Sequence, residues 1–429
     1  MRATIKVSNN IWALLIVVIL LSSYTHLAAQ SATTHSYTVD VFDVGTGLSV
    51  LVRGPSWNVL FDGGSNDESD KFNRLPDLMA AAGLASGSHL DYVILSHPHT
   101  DHDLLLDDVL DNYSVGEIWD SGAVNQVCSY FNFVKAVERE QQATNAVYRT
   151  AIHTKDDSHM PVFKGHSCFG PSKTDTPKLK FGERLIGAET SHDNPTQFKF
   201  EDGAKMTLLY GTDPHAADYK DNDKSYNDFS FVVSLQLGGK TVLLMGDAQG
   251  GPRATPRDHP DVDHTIEKKL LDCCMDLIQA DFMVVGHHGS ETSSRNEFLD
   301  AVDGRDTRDV DGPAPVVANS QTMHYVISAG PHKYASVQLP DEVVMEDLRG
   351  RFSRPDKHVW RTDLHDLACD DKNNNVLSSC PTEAFTPCID RDTSNGDKIG
   401  HAKSGPYGGC DNVRAVIKGS KIVVSYWPR

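Results

Sequence analysis

The tightest constraint in this sequence is six residues long. His97-Pro98-His99-Thr100-Asp101-His102 follows directly on Leu90-Asp91-Tyr92-Val93-Ile94-Leu95-Ser96. That apolar run reads as a buried strand. In extended backbone, residues two apart point the same way, so His97 and His99 can converge on one ion. The turn that follows can carry Asp101 and His102 towards a second ion close by. Imidazole and carboxylate are ligand types that suit zinc, manganese or iron. Whatever the fold, it has to deliver these side chains from the end of an apolar strand.

Two later segments share that placement. Val242-Leu243-Leu244-Met245-Gly246-Asp247 ends in a carboxylate that can bridge two cations, and Met283-Val284-Val285-Gly286-His287-His288-Gly289-Ser290 ends in a histidine pair. A shorter strand, Val59-Leu60-Phe61, runs into Asp62-Gly63-Gly64. Further strands fit residues 37–44, 49–52, 205–210, 229–237, 240–244, 282–285 and 315–320. Helices fit residues 74–85 and 267–279. Strands mixed with helices in this way predict an α/β layered sandwich. Residues 125–195 show little periodicity and read as a loop-rich insertion, and residues 303–315 as a polar loop.

Taken in order, Asp62-Gly63-Gly64, the histidine cluster at 97–102, Asp247 and His287/His288 resemble the metallo-β-lactamase superfamily. The finer similarity is to the β-lactamase-like domain of ComEC-like competence (DNA-internalisation) proteins. It is carried by Phe42-Asp43-Val44-Gly45-Thr46-Gly47, Asn227-Asp228-Phe229-Ser230-Phe231-Val232, Gly286–Ser290 and Arg361-Thr362-Asp363. The resemblance implies a four-layer αβ/βα sandwich over residues 36–365, with a metal site at one edge of its two sheets. It implies one or two divalent cations as cofactor, zinc ahead of manganese or iron. His97 and His99 would hold the first cation, Asp101 and His102 the second, and Asp247 would bridge them. One of His287 and His288 would complete the second, with His287 favoured as the first residue beyond the strand. Asp62 would orient a ligand histidine through its other ring nitrogen.

The sequence departs from the family pattern in several places. Asp103-Leu104-Leu105 replaces a common Gly-Gly, so the next helix is expected to pack differently, and Leu48 replaces an acidic residue. Where hydrolases of the superfamily often supply a third histidine to the first cation, this chain offers Asn227 or Asp228, with His192 a weaker alternative. A weaker first site, or a single tightly held cation, is the expectation. Tyr334-Ala335-Ser336-Val337 stands where the branch often has Tyr-Gly-His-Pro; His332 lies just upstream and reads as a surface histidine.

The ends of the chain carry other signals. Arg2 and Lys6 precede the apolar run 11–21 and small residues at Ala28-Ala29, so residues 1–29 read as an export signal. That places the mature protein in the periplasm or outside the cell, with no stable membrane span after cleavage. Eight cysteines in an exported chain point to disulfides. Cys369, Cys380, Cys388 and Cys410 fall in a polar C-terminal extension, residues 366–429, where two staples would offset a small core. Cys128 and Cys168 can pair across the insertion, whereas the neighbours Cys273 and Cys274 are expected to have separate fates. Asp390–Asp397 reads as a polar turn.

Forty Lys+Arg against 59 Asp+Glu give a net charge of −19. That argues against a broad basic surface for nucleic acid and favours a small phosphoester or short nucleic acid as substrate. No phosphate-cradling loop and no Gly-x-Ser-x-Gly elbow compete. By analogy with nuclease-type members, the resemblance implies a metal-dependent hydrolase that attacks a phosphodiester with metal-bound hydroxide, Asp101 orienting the nucleophile. The alternatives are an acyl or lactam hydrolase of the same fold, and a non-catalytic metal-binding domain that docks a protein partner.

Overall fold

A computed structural model describes residues 35–66, 75–153, 160–164, 168, 174–211, 226–251, 265–304, 322–330, 333–334, 337–363 and 412–427. The export signal, Cys369, Cys380, Cys388, Cys410, residues 315–320, His332 and residues 390–397 lie outside the described residues. The described residues from Ser36 onward form one compact unit.

The strands in chain order are β1 (Ser36–Val41), β2 (Val50–Arg53), β3 (Asn58–Phe61), β4 (His89–Leu95), β5 (Ser114–Asp120), β6 (Val147–Thr150), β7 (Phe163–Lys164), β8 (Thr174–Asp175), β9 (Gln197–Lys199) and β10 (Lys205–Tyr210). They continue with β11 (Val232–Leu237), β12 (Lys240–Leu244), β13 (Phe282–Val284), β14 (His324–Ile327), β15 (Lys333–Tyr334), β16 (Val337–Gln338), β17 (Val359–Arg361), β18 (Asn412–Lys418) and β19 (Lys421–Trp427). The helices are α1 (Leu75–Ala81), α2 (Thr100–Asp103), α3 (Leu106–Asn112), α4 (Cys128–Thr144), α5 (Ile266–Cys273), α6 (Asn296–Val302) and α7 (Glu342–Gly350).

Among the described residues, one sheet has eight strands in the order β19-β18-β1-β2-β3-β4-β5-β6, and the second has seven, β17-β14-β13-β12-β11-β10-β9. Strand alternation explains how the sheets stack. In β12, Val242 and Leu244 face one way and Leu243 the other. Val242 and Leu244 join an apolar layer between the sheets with Val39, Val41, Phe61, Ile94 and Phe282. Leu243 packs outward, in a cluster with Leu270 of α5, Phe298 of α6 and Met345 of α7. On the other sheet, Leu90, Val93 and Leu95 of β4 face outward into the cluster that holds Met79 of α1, Val109 of α3 and Val137 of α4. Three apolar layers thus separate helix, sheet, sheet and helix, which is the four-layer αβ/βα order.

The structure revises several sequence expectations. Residues 128–144, read as loop, form the 17-residue α4. Its buried Tyr130, Phe133, Val134, Val137 and Gln141 recur at helical spacing. That stripe is short against the polar residues that follow it to 195, which dilute the period. Strand β11 starts at Val232 rather than 229, because Asn227–Phe229 form a 3-10 turn closed by the Ser230 amide on the Asn227 carbonyl. The end of the polar extension belongs to the sandwich itself. Strand β18 pairs antiparallel with β1, Ser36 opposite Lys418, and buries Val413, Ala415 and Ile417 in the layer between the sheets. Cys273 and Cys274, expected to part, are bonded to each other where the chain leaves α5 in non-helical backbone at Cys274. Leu48, in the place of an acid, is a residue of the inner core.

Candidate metal centre

Strands β3, β4, β5 and β6 run parallel in one sheet, and β12, β13, β14 and β17 in the other. Their carboxyl ends open on one rim, the ordinary place for a site in such sheets. Ser96-His97 leave the end of β4, Asp247 follows β12, His287-His288 follow β13 and Ser328 follows β14. A backbone lattice joins these ends. The Phe231 amide donates to the Ser96 carbonyl at 3.1 Å, the His287 amide to the Gly246 carbonyl at 3.0 Å, and the Leu48 amide to the Asp101 carbonyl at 3.0 Å. Gly64 has to be glycine here, because a Cβ would stand 2.0 Å from the His102 nitrogen.

Side chains meet at the rim in two groups, His97, His102 and Asp247, and Asp101, His102 and His288. Asp247 faces both. Its Oδ2 lies 3.7 Å from His97 Nε2, while its Oδ1 lies 3.1 Å from His102 Nε2 and 3.5 Å from His288 Nε2. His99 adds its Nδ1, 2.9 Å from His97 Nε2. Each ring is fixed from behind. His102 Nδ1 bonds Asp62 Oδ2 at 2.8 Å, and Asp62 also accepts from the Ser96 amide at 2.6 Å. His97 Nδ1 lies 3.1 Å from Ser96 Oγ and 3.3 Å from Ser230 Oγ, and the Asp247 amide donates to Ser230 Oγ. His288 Nδ1 bonds the Ser328 carbonyl at 2.8 Å.

The two members of the histidine pair, of which the sequence favoured His287, take different places. His287 and His288 both adopt left-handed backbone, φ 50° and 53°, and this swings the two rings apart. His288 is 2% exposed and aims Nε2 at Asp101 and Asp247. His287 is 21% exposed, with Nδ1 bonded to Thr292 Oγ1 at 2.6 Å and Nε2 3.2 Å from Asn227 Nδ2. Both rings border Asp247, His288 Nε2 3.5 Å from Oδ1 and His287 Nε2 3.8 Å from Oδ2, but of the two it is His288 that also faces Asp101. Of the pair at 227–228, Asn227 reaches the site, whereas Asp228 points to solvent. His192 is exposed and bonds Asp276 elsewhere. Asp103, in the place of a glycine, is fully buried.

Residues 42–126 match the metallo-β-lactamase superfamily, a stretch that runs from the opening loop through the histidine cluster. The fold is the metallo-β-lactamase fold. No curated protein matches the sequence. Among solved structures, the metallo-β-lactamase fold protein YhfI from Bacillus subtilis is 13% identical, covering 77% of this chain and 97% of its own at a TM-score of 0.36. The short form of human tRNase Z is 15% identical, with 58% and 77% covered and a TM-score of 0.26. A metallo-β-lactamase from Cronobacter sakazakii is 13% identical, with 61% and 85% covered and a TM-score of 0.28.

In this metallo-β-lactamase fold, the donor set fits divalent cations. His102 Nε2, His288 Nε2 and Asp247 Oδ1 are buried without a hydrogen-bond partner. Buried polar atoms are ordinarily paired, so several left unpaired at one place mark a ligand's seat. Burial pushes the Asp101 and Asp247 carboxyls up, but the neighbouring imidazoles outweigh it and hold both below the usual carboxylate range. Burial lowers His102 and His288, and Asp247 with its fellow carboxylates more than reverses this, lifting both above the ordinary imidazole value. Burial keeps His97 and His287 below that value.

Sequence reasoning placed Tyr334 in a family motif but missed its role, its hydroxyl donating to Asp101 Oδ2. It also missed the supporting Ser96, Thr292 and Ser328. Ser96 and Thr292 lie within a few residues of recognised ligands, which was the available signal. Tyr334 stands at the tyrosine of the branch's Tyr-Gly-His-Pro stretch, which was its signal, and Ser328 had none.

Proposed function

We propose that this chain is an exported metal-dependent hydrolase acting on a phosphodiester. The observation that supports a two-cation hydrolytic centre is Asp247, whose two oxygens face separate imidazole groups. His97, His99 and Asp247 would hold one cation, and Asp101, His102, His288 and Asp247 the other. Bound there, cations supply a lowered pKa for water and stabilise negative charge on a phosphoryl or acyl oxygen. The chain does the rest. Asp101 accepts a hydrogen bond from the nucleophile and aims it. Asp62 and the Ser328 carbonyl hold His102 and His288 in one tautomer, each with Nε2 free to ligate. Asn227 and His287 stand beside the centre with polar groups that can meet substrate oxygens.

The net charge of −19 supports a small ester over a long polyanion. Export rests on Arg2, Lys6 and the apolar run 11–21; N-terminal sequencing of the secreted chain should begin at Gln30. The substrate test uses the purified mature protein loaded with zinc, manganese or iron. Hydrolysis of bis(p-nitrophenyl) phosphate without hydrolysis of a chromogenic cephalosporin is the expected result. The reverse would mean an acyl hydrolase, and silence with every metal would mean a binding role. Kinship with the ComEC-like branch belongs to the same proposal, supported by the loops at 42–47 and 227–232 that build this rim.

A further inference from the structure

We infer that Tyr334 is a positioning residue of this centre: its hydroxyl, bonded to Asp101 Oδ2, pins that carboxylate and so sets the strength of the second cation site. The inference rests on the two-cation reading above. Tyr334 comes from the short hairpin of β15 and β16, where it pairs with Val337. The chain on either side of that hairpin is fastened to the turn that carries His288. On the approach, the Ser328 carbonyl accepts from His288 Nδ1. On the departure, the Asp341 amide donates to the Gly289 carbonyl at 3.0 Å, and Asp341 Oδ2 accepts from the Glu291 amide at 2.7 Å. The hairpin is thus tied to the ligand turn, and the hydroxyl arrives over the centre from a sequence distance of 233 residues.

The target oxygen is the informative part. Asp101 Oδ2 lies 3.5 Å from His288 Nε2, on the side of the second donor group. A carboxylate that accepts a phenolic hydrogen bond has one oxygen's electron density drawn away and its rotation stopped. It is then held ready in one orientation for a cation, and outer partners of this kind ordinarily support the affinity of the ligand they hold. Asp101 is also the residue that aims the nucleophile in the proposed reaction, so the same bond governs aim and ligand strength together.

Zinc titration of the full chain and its Tyr334→Phe variant tests this, with the absorption bands of the cobalt-loaded proteins as a second readout. Removing the hydroxyl should lower the affinity of the second equivalent about 10–100-fold, as loss of an outer partner of a metal ligand usually does, and alter the cobalt bands. On bis(p-nitrophenyl) phosphate, kcat should fall about 10–100-fold with KM nearly constant. Unaltered affinities and bands would overturn the inference, as would a rise in KM alone, which would make the hydroxyl a substrate contact. A Val337→Ala variant loosens the hairpin and keeps the hydroxyl; if it reproduced the Tyr334→Phe losses, packing would be the cause and the inference would fall. Should the wild type leave the phosphodiester intact, the titration still decides the role of Tyr334, while the substrate proposal fails separately.

Discussion

His287 and His288 are adjacent and chemically identical, yet the backbone gives them different work. His288→Ala removes a nitrogen aimed at Asp101 and Asp247, so the metal content of the purified protein should drop by about one equivalent. His287→Ala should leave the metal content intact, which plasma emission measurement of both variants decides. Asp62→Ala is a sharper case, because Asp62 touches no cation position itself and acts through His102 Nδ1 and, by way of Ser96 Oγ, through His97 Nδ1. A loss of about 10–100-fold in zinc affinity is expected from competition with a chromophoric chelator. Protons enter through the same residues. His102 and His288 hold theirs more tightly than an ordinary imidazole of pKa 6.5, and a cation has to displace them. Zinc binding should therefore release protons and tighten as pH rises, levelling off above the raised values. Calorimetry in two buffers of unlike ionisation enthalpy measures the release; none at neutral pH would sink the assignment.

At the scale of elements, the strands that deliver ligands were legible in the sequence and several that frame them were not. Strands β10 and β12 are found where their apolar runs place them, as are the cluster after β4 and the donors after β12 and β13. Each of these signals is local, an apolar run followed at once by a polar donor. What escaped depends on distance or on backbone angle. Nothing near Tyr334 announces Asp101, and nothing in a His-His pair announces which member a left-handed turn will bring to both Asp101 and Asp247. Strand β18 escaped for another reason. Its alternation, Val413, Ala415 and Ile417 inward, is ordinary, but it follows a long polar, cysteine-rich stretch that reads as a separate extension. The structure puts Ile417 in the layer between the sheets with no exposure. Ile417→Ala should cost about 2–5 kcal/mol in a denaturant titration, the range for a filled core position; a cost under about 0.5 kcal/mol would match a surface residue instead.

For the whole molecule, charge is the property that local geometry leaves out. A chain at −19 repels a polyanion from a distance, and added salt screens that repulsion. If the proposed activity holds, KM for an oligonucleotide should fall as ionic strength rises, while KM for bis(p-nitrophenyl) phosphate should hardly move. Kinetics at low and at physiological salt would show it, and a rising oligonucleotide KM would reveal a cationic groove.

The pairing of β1 with β18 gives the chain a clasp. Val39 and Val41, among the first described residues, sit opposite Ala415 and Val413, among the last. Every partial product of synthesis therefore lacks the neighbour that closes its opening strand, however much of the sandwich has already emerged. Contacts this far apart in sequence form late and slowly. A chain cut short before residue 412 would leave the outer side of β1 without its partner, and the backbone groups that β18 satisfies would form a sheet edge there instead.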